Sequence, residues 1–201
     1  MNYLAHLFLA ENNPASRVGN LLGDFVTGRP ESLRTRFPDA VLRGIVRHRA
    51  IDRFTDSHRI TAQMKEYVAP SRRRFSGVIA DLIHDHFLTR HWVDYHAEPL
   101  HEFVAACNSA LRQYRDILPP ELGATLEERI EDHWLEQYGT DEGLDRVFQR
   151  VASRNPLFAP IRDGIQDLGN HRRGFETGFR EFFPDLVAWV KASGPESAIL
   201  I

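Results

Sequence analysis

The sequence predicts an all-α protein folded as one domain over residues 1–201, on three observations. Apolar residues recur at spacings of three and four, and no run alternates as a half-buried strand does. Breakers such as Asn12-Asn13-Pro14, Gly28-Arg29-Pro30, Pro119-Pro120 and Gly194-Pro195 cut the chain mostly into helix-length pieces. There is no internal repeat, low-complexity tract or linker, and the length suffices for one hydrophobic core without covalent staples.

The breakers place the elements in order. Helices are expected over 2–10, before Asn12-Asn13-Pro14; over 15–27, up to Gly28; over 39–56, after Pro38; and over 58–68, before Pro70. The segment 71–96 is expected to be the longest helix and central, because its apolar residues fall all around the helix axis. Over 100–117, Leu100, Phe103, Val104, Cys107, Leu111 and Tyr114 form one apolar stripe. The segment 122–138 offers a Thr125…Glu128 capping box and a stop at Gly139. Helices over 141–152 and, with breaks, over 160–191 complete a count of seven to nine.

Composition narrows the function. With 42% hydrophobic and 26% charged residues the chain has the balance of a globular protein in water. A net charge of −3 gives no basis for nucleic-acid binding. A single cysteine, Cys107, excludes an internal disulfide framework and a cysteine-based zinc site, and makes a reducing setting the default. The apolar start "MNYLAHLFLAEN" lacks a basic region and a cleavage pattern. No apolar run approaches the ~20 residues of a membrane span. The expected location is the cytoplasm, away from membranes.

The chemistry concentrates in "DLIHDHFLTRHW", Asp81 to Trp92. At 100° per residue, Asp81 and Asp85 stack one turn apart on one face, and His86 is adjacent to Asp85. Carboxylates on an apolar helix are costly unless something positive sits between them: a metal ion, arginines or a shared proton. The plainer alternative is a helix whose aspartates face water. In "GIVRHRAIDRFTD", His48, Asp52 and Asp56 form a line of ligand-capable groups one turn apart, or else a simple surface hydrogen bond. Asp24 in "GNLLGDFVTG" is either a cap or a carboxylate ligand. His6, among leucines, reads first as a core histidine and second as a ligand. Together Asp24, His48, Asp52, Asp81, Asp85 and His86 make an oxygen-and-imidazole set without thiolate, which suits Mn2+ or Mg2+, with iron or zinc as further options. Such an ion acidifies water for hydrolysis, and nearby arginines suit phosphoryl oxygens. No phosphate-binding glycine loop, serine elbow or ferritin-type pair of Glu-x-x-His motifs is present.

In order and spacing, "MNYLAHLFLA", "GNLLGDFVTG", "HRAIDRFTD" and "DHFLTRHW" resemble the acyl carrier protein phosphodiesterases, with "RNPLFAPIRDGIQDL" and "FETGFREFFPDL" in keeping, so that nearly the whole chain is covered. The resemblance implies an all-helical bundle related to the HD-type metal phosphohydrolases and a divalent-metal site, preferentially Mn2+. It implies hydrolysis of holo-acyl carrier protein to apo-protein and 4′-phosphopantetheine, within fatty acid biosynthesis. The site residues it implies are Asp24, His48, Asp52, Asp81, Asp85 and His86. The family has an aromatic residue where this chain has His84, so His84 is expected to pack rather than coordinate. Arg49 or Arg90 is expected to stabilise charge on the phosphoryl group. Arg43, Arg47, Arg72, Arg73 and Arg74 are expected to meet the acidic carrier protein. Two other readings stand beside this one: a phosphohydrolase of nucleotides or other small phosphoesters, and a helical module that binds carrier proteins without catalysis.

Overall fold

The structure, a computed structural model, describes residues 1–201 and contains helices and turns without a strand. Twelve α-helices follow one another: α1 (Tyr3–Leu9), α2 (Pro14–Leu22), α3 (Pro30–Leu33), α4 (Asp39–Ser57), α5 (Arg59–Lys65), α6 (Ser76–Arg90), α7 (Trp92–Tyr95), α8 (Leu100–Gln113), α9 (Pro120–Gly123), α10 (Leu126–Glu131), α11 (Asp141–Ser153) and α12 (Gly164–Ala192). The count exceeds nine because several are single turns. One cluster of 48 buried apolar residues, from Met1 to Leu186, runs through them all as a single core. No helix is long and apolar enough to cross a membrane.

Helix α6 is central, as its apolar pattern predicts. It packs against α1, α5, α11 and α12, and buries every residue from Leu82 to Leu88. It is shorter than expected at both ends. Residues Pro70–Phe75 wind as a 3-10 turn, with Arg72 out of helical geometry (φ −125°, ψ 15°). The Arg72 guanidinium is drawn inward to grip Asp167 at 2.6 and 2.8 Å. At the other end His91 leaves the helix (φ −107°, ψ 21°). The longest helix is instead α12, whose 29 residues absorb Pro184 and a kink at His171.

The single helix expected over 122–138 does not form. Thr125 makes no capping bond; its hydroxyl donates to the Glu121 carbonyl at 2.8 Å and accepts from Arg129 Nε at 2.8 Å. The helix stops at Glu131 and the chain turns through His133, at φ 50°. That turn delivers Trp134 to the core, where it is 2% exposed. Burial of a large aromatic outweighs the local helical preference.

Two helix contacts set up the site. Helices α2 and α4 cross at backbone distance, because a Cβ on Gly19 would lie 2.2 Å from the Val41 carbonyl oxygen and one on Gly44 would lie 2.9 Å from the Gly19 Cα. The start of α1 has no capping side chain of its own. Asp85 of α6 supplies one from across the fold, accepting from the backbone N–H of Leu4 at 2.9 Å and of Ala5 at 3.0 Å, and from Asn2 Nδ2 at 3.0 Å. A carboxylate at a helix N-terminus satisfies orphan donors and meets the positive end of the helix dipole.

His84 packs, as expected. Its ring stacks on Phe182 at 5.1 Å, and neither ring nitrogen has a hydrogen-bond partner. Burial pushes its pKa down to about 3. A base depressed in the folded state loses stability as pH falls from the ordinary value of 6.5 toward 3, because the unfolded chain takes up the proton first. His84→Phe is therefore expected to stabilise the protein by about 1 kcal/mol at neutral pH, through removal of unsatisfied polar atoms. Its advantage should widen between pH 6 and 4. Thermal melts of the two proteins across that range check this; a variant less stable at every pH overturns it.

Candidate metal and phosphoryl site

Four elements meet around the carboxylate of Asp52. From α4, His48 Nε2 lies 3.0 Å from Asp52 Oδ2, one helical turn along. From α1, His6 Nε2 lies 3.1 Å from Asp52 Oδ1, and the His6 ring stacks on the His48 ring at 3.7 Å. From the end of α2, Asp24 Oδ1 lies 3.6 Å from His48 Nε2. From α6, Asp81 approaches on the far side of the Met1 amino group, which contacts Asp81 Oδ1 at 3.0 Å and Asp52 Oδ1 at 3.3 Å. His6, His48 and Asp52 offer ligand atoms within 4.8 Å of one another.

Local chemistry fixes each imidazole. His48 Nδ1–H donates to the Asn20 carbonyl at 2.6 Å, which the close α2–α4 crossing makes reachable. Its Nε2 therefore presents a lone pair to the oxygens of Asp24 and Asp52. Acceptors facing one another require a positive charge between them, a proton or a metal ion. Gly23 leaves the space that the ring fills, since a Cβ there would fall 2.1 Å from His48 Cγ. His6 Nδ1 is buried without a partner.

Electrostatics agree with a cation site. Burial alone would raise the Asp52 carboxyl; the adjoining His48 and His6 rings and the nearby Met1 ammonium reverse this and hold it far below the carboxylate range. Burial pushes Asp24 up to about 6, partly offset by His48. Burial likewise raises Asp81, against the pull of the Met1 ammonium. Burial, with His48 alongside, lowers His6 to about 3, so it is a neutral ligand-competent ring at neutral pH. The donor set of two imidazoles with the carboxylates of Asp52 and Asp24, and a lone pair already aimed at carboxylate oxygens, fits a divalent ion of the Mn2+ class.

The structure thus brings Asp24, His48, Asp52 and Asp81 together and adds His6, a buried histidine that pairs with Asp52. It separates Asp85 and His86 from them. Both oxygens of Asp85 serve α1. His86 Nδ1–H donates to the Tyr138 carbonyl at 2.7 Å, and its Nε2 turns to Asp141, 3.9 Å away. The third member of the α4 line, Asp56, faces solvent and pairs with Lys65 at 2.8 Å. The arginines also depart from expectation. Arg49 is committed to the carbonyls of Gly28 at 2.7 Å and Val26 at 3.1 Å. Arg90 is exposed near His86, not beside Asp52. Arg47 is 4% exposed and donates to the Gly194 carbonyl, and Arg72 is bound to Asp167, so neither is a docking residue. Arg73 and Arg74 are exposed and Arg43 half-buried.

Fold and site define an all-helical protein with a cluster of carboxylates and imidazoles where α1, α2, α4 and α6 meet. Residues 1–186 match the model of the family described as acyl carrier protein phosphodiesterase. A relative of that name from Enterobacter sp. (strain 638) is 38% identical over 95% of this chain and 98% of its own. One from Klebsiella pneumoniae is 37% identical over 93% and 96%, and one from Escherichia coli O157:H7 is 35% identical over 94% and 96%. The chain belongs to the acyl carrier protein phosphodiesterase family. No solved structure matches it.

Proposed function

We propose that this protein is a cytoplasmic, metal-dependent phosphodiesterase that hydrolyses holo-acyl carrier protein to apo-acyl carrier protein and 4′-phosphopantetheine. Family membership over nearly the whole chain supports the substrate. The observation that carries the chemistry is the His48 lone pair held against two carboxylates by the Nδ1 bond to Asn20. A divalent ion, Mn2+ first and Mg2+ or Fe2+ next, supplies Lewis acidity and a more acidic water when bound there. Asp52 orients both imidazoles through its two oxygens. Asp24, 3.6 Å from His48 Nε2, is placed to take the proton that the attacking water gives up. The water oxygen bonds to phosphorus, the bond from phosphorus to the serine oxygen breaks, and that oxygen leaves with a proton. Kinship with HD-type hydrolases, part of the same reading, would lie in this chemistry and not in a His84–Asp85 doublet, whose members pack and cap.

The exposed Arg73 and Arg74 suit an acidic carrier protein, through contacts that salt screens. Purified protein with Mn2+ is expected to remove the phosphopantetheine mass from holo-acyl carrier protein. Chelation should reduce the reaction to background and Mn2+ should restore it, as followed by mass spectrometry. An unchanged carrier mass across several carrier proteins overturns the reading, as does a faster reaction on nucleotides or other small phosphodiesters.

A further inference from the structure

With Arg49 and Arg90 engaged elsewhere, the question is what meets the negative oxygens of a phosphodiester at this site. A cleft of about 250 Å³ opens on Met1, Asp24 and Asp81, and Arg154, at the end of α11, lines it. The cleft continues past Asn2 and Tyr3 into a narrow crevice that Arg154 shares with Arg129 and Arg150. None of the three arginines has a carboxylate within ion-pair distance; their side-chain partners are the neutral groups of Thr125, Gln137 and Tyr3. Arg129 is pushed below its ordinary value by burial, and its neighbours Arg150 and Arg154 push the same way, so the three sense one another's charge. Glu128 and Asp132 line a neighbouring pocket with Arg129 and Arg150, so Arg154 is the one of the three that faces the Asp24–Asp81 cleft.

Arg154 is also held in place. Its Nη2 donates to the Tyr3 hydroxyl at 3.4 Å, and the Tyr3 ring stacks on Phe25 at 5.7 Å, next in sequence to Asp24. Phe25, Val78 and Val151 make the remaining wall apolar, and Val78 is 39% exposed there. The carboxylates of Asp24 and Asp81, the Arg154 rim and the apolar wall match a diester with a charged centre and one uncharged arm.

We propose that Arg154, backed by Arg150 and Arg129, is the phosphoryl-binding limb of the site, taking the non-bridging oxygens of the substrate diester. This deepens the functional reading above and rests on it for the identity of the diester. Sequence alone hides the limb because Arg150 and Arg154 lie one turn apart on a helix that reads as an ordinary charged face, and Arg129 comes from another helix.

Inorganic phosphate is the probe. Its binding to the protein, with Mn2+ and after chelation, is measured by calorimetry for wild type, Arg154→Gln, Arg154→Lys, Arg49→Gln and Arg90→Gln, each checked for folding by circular dichroism. Arg154→Gln is expected to weaken phosphate about tenfold under both conditions, Arg154→Lys less, and the other two less than twofold. In turnover, Arg154→Gln should raise KM for the diester and lower kcat. Undiminished phosphate binding by Arg154→Gln overturns the proposal, as does a larger loss in Arg49→Gln or Arg90→Gln, or no phosphate binding by wild type. If wild type binds phosphate through Arg154 yet leaves holo-acyl carrier protein intact, the substrate reading fails and the phosphoryl limb stands.

Discussion

Asp52→Asn is expected to lower turnover of holo-acyl carrier protein by roughly 100-fold or more, since even outer partners of metal ligands are worth about 10- to 100-fold. Asp52 is the one residue whose two oxygens face two imidazoles, with Oδ1 on His6 and Oδ2 on His48. An amide keeps the shape, replaces one oxygen with an N–H donor and removes the charge that balances the Met1 ammonium. Its side chain is 36% exposed, so folding should survive. Mn2+ affinity should fall in parallel with kcat. Retention of more than half the activity would place the chemistry elsewhere.

The second large effect is on stability. Asp85→Ala is expected to destabilise the fold by about 3 kcal/mol or more, because it strands the buried N–H groups of Leu4 and Ala5. For a chain of this length that corresponds to a melting point lower by about 6–12 °C. Burial pushes the Asp85 carboxyl up to about 7, against the donors that favour its ionised form. An acid raised in the folded state contributes stability that is present below its ordinary value of 3.8 and is lost as pH rises through about 7. The deficit of Asp85→Ala should therefore be smaller at pH 8 than at pH 5. Denaturant unfolding at the two pH values checks this; a variant that melts like wild type would refute the capping role. Activity should fall as well, since α1 carries His6, but Mn2+ at high concentration should not restore the melting point.

How far such assignments were legible depends on whether the partners share a helix. His48 and Asp52 lie one turn apart on α4, and their pairing follows from helical period alone. The central position of α6 follows in the same way from apolar residues all around it. For the Asp81–Asp85 pair the sequence offers a metal ion, arginines or a shared proton, whereas Asp85 is satisfied by N–H donors at the start of α1. The sequence hides this partner, because an ion and the start of another helix satisfy the same requirement. That the answer is α1 depends on a contact spanning 81 residues. Arg72 is a parallel case: three adjacent arginines look like a solvent-facing patch until Asp167, 95 residues away, draws one inside. His6 carries a weak signal, since a histidine among leucines is more often a core residue, and only the approach of α4 shows Asp52 beside it.

The crossing of α2 and α4 ties the proton placement on the His48 ring to the distance between two helix axes. Asn20 follows Gly19 in the chain, so the backbone contact between Gly19 and Gly44 governs how near its carbonyl comes to His48. That carbonyl decides which ring nitrogen keeps its hydrogen and which is free to donate electrons. Two glycines thus act as a tautomer selector, and a methyl group added at either would be read out as a proton moved on the His48 ring, not merely as a looser core.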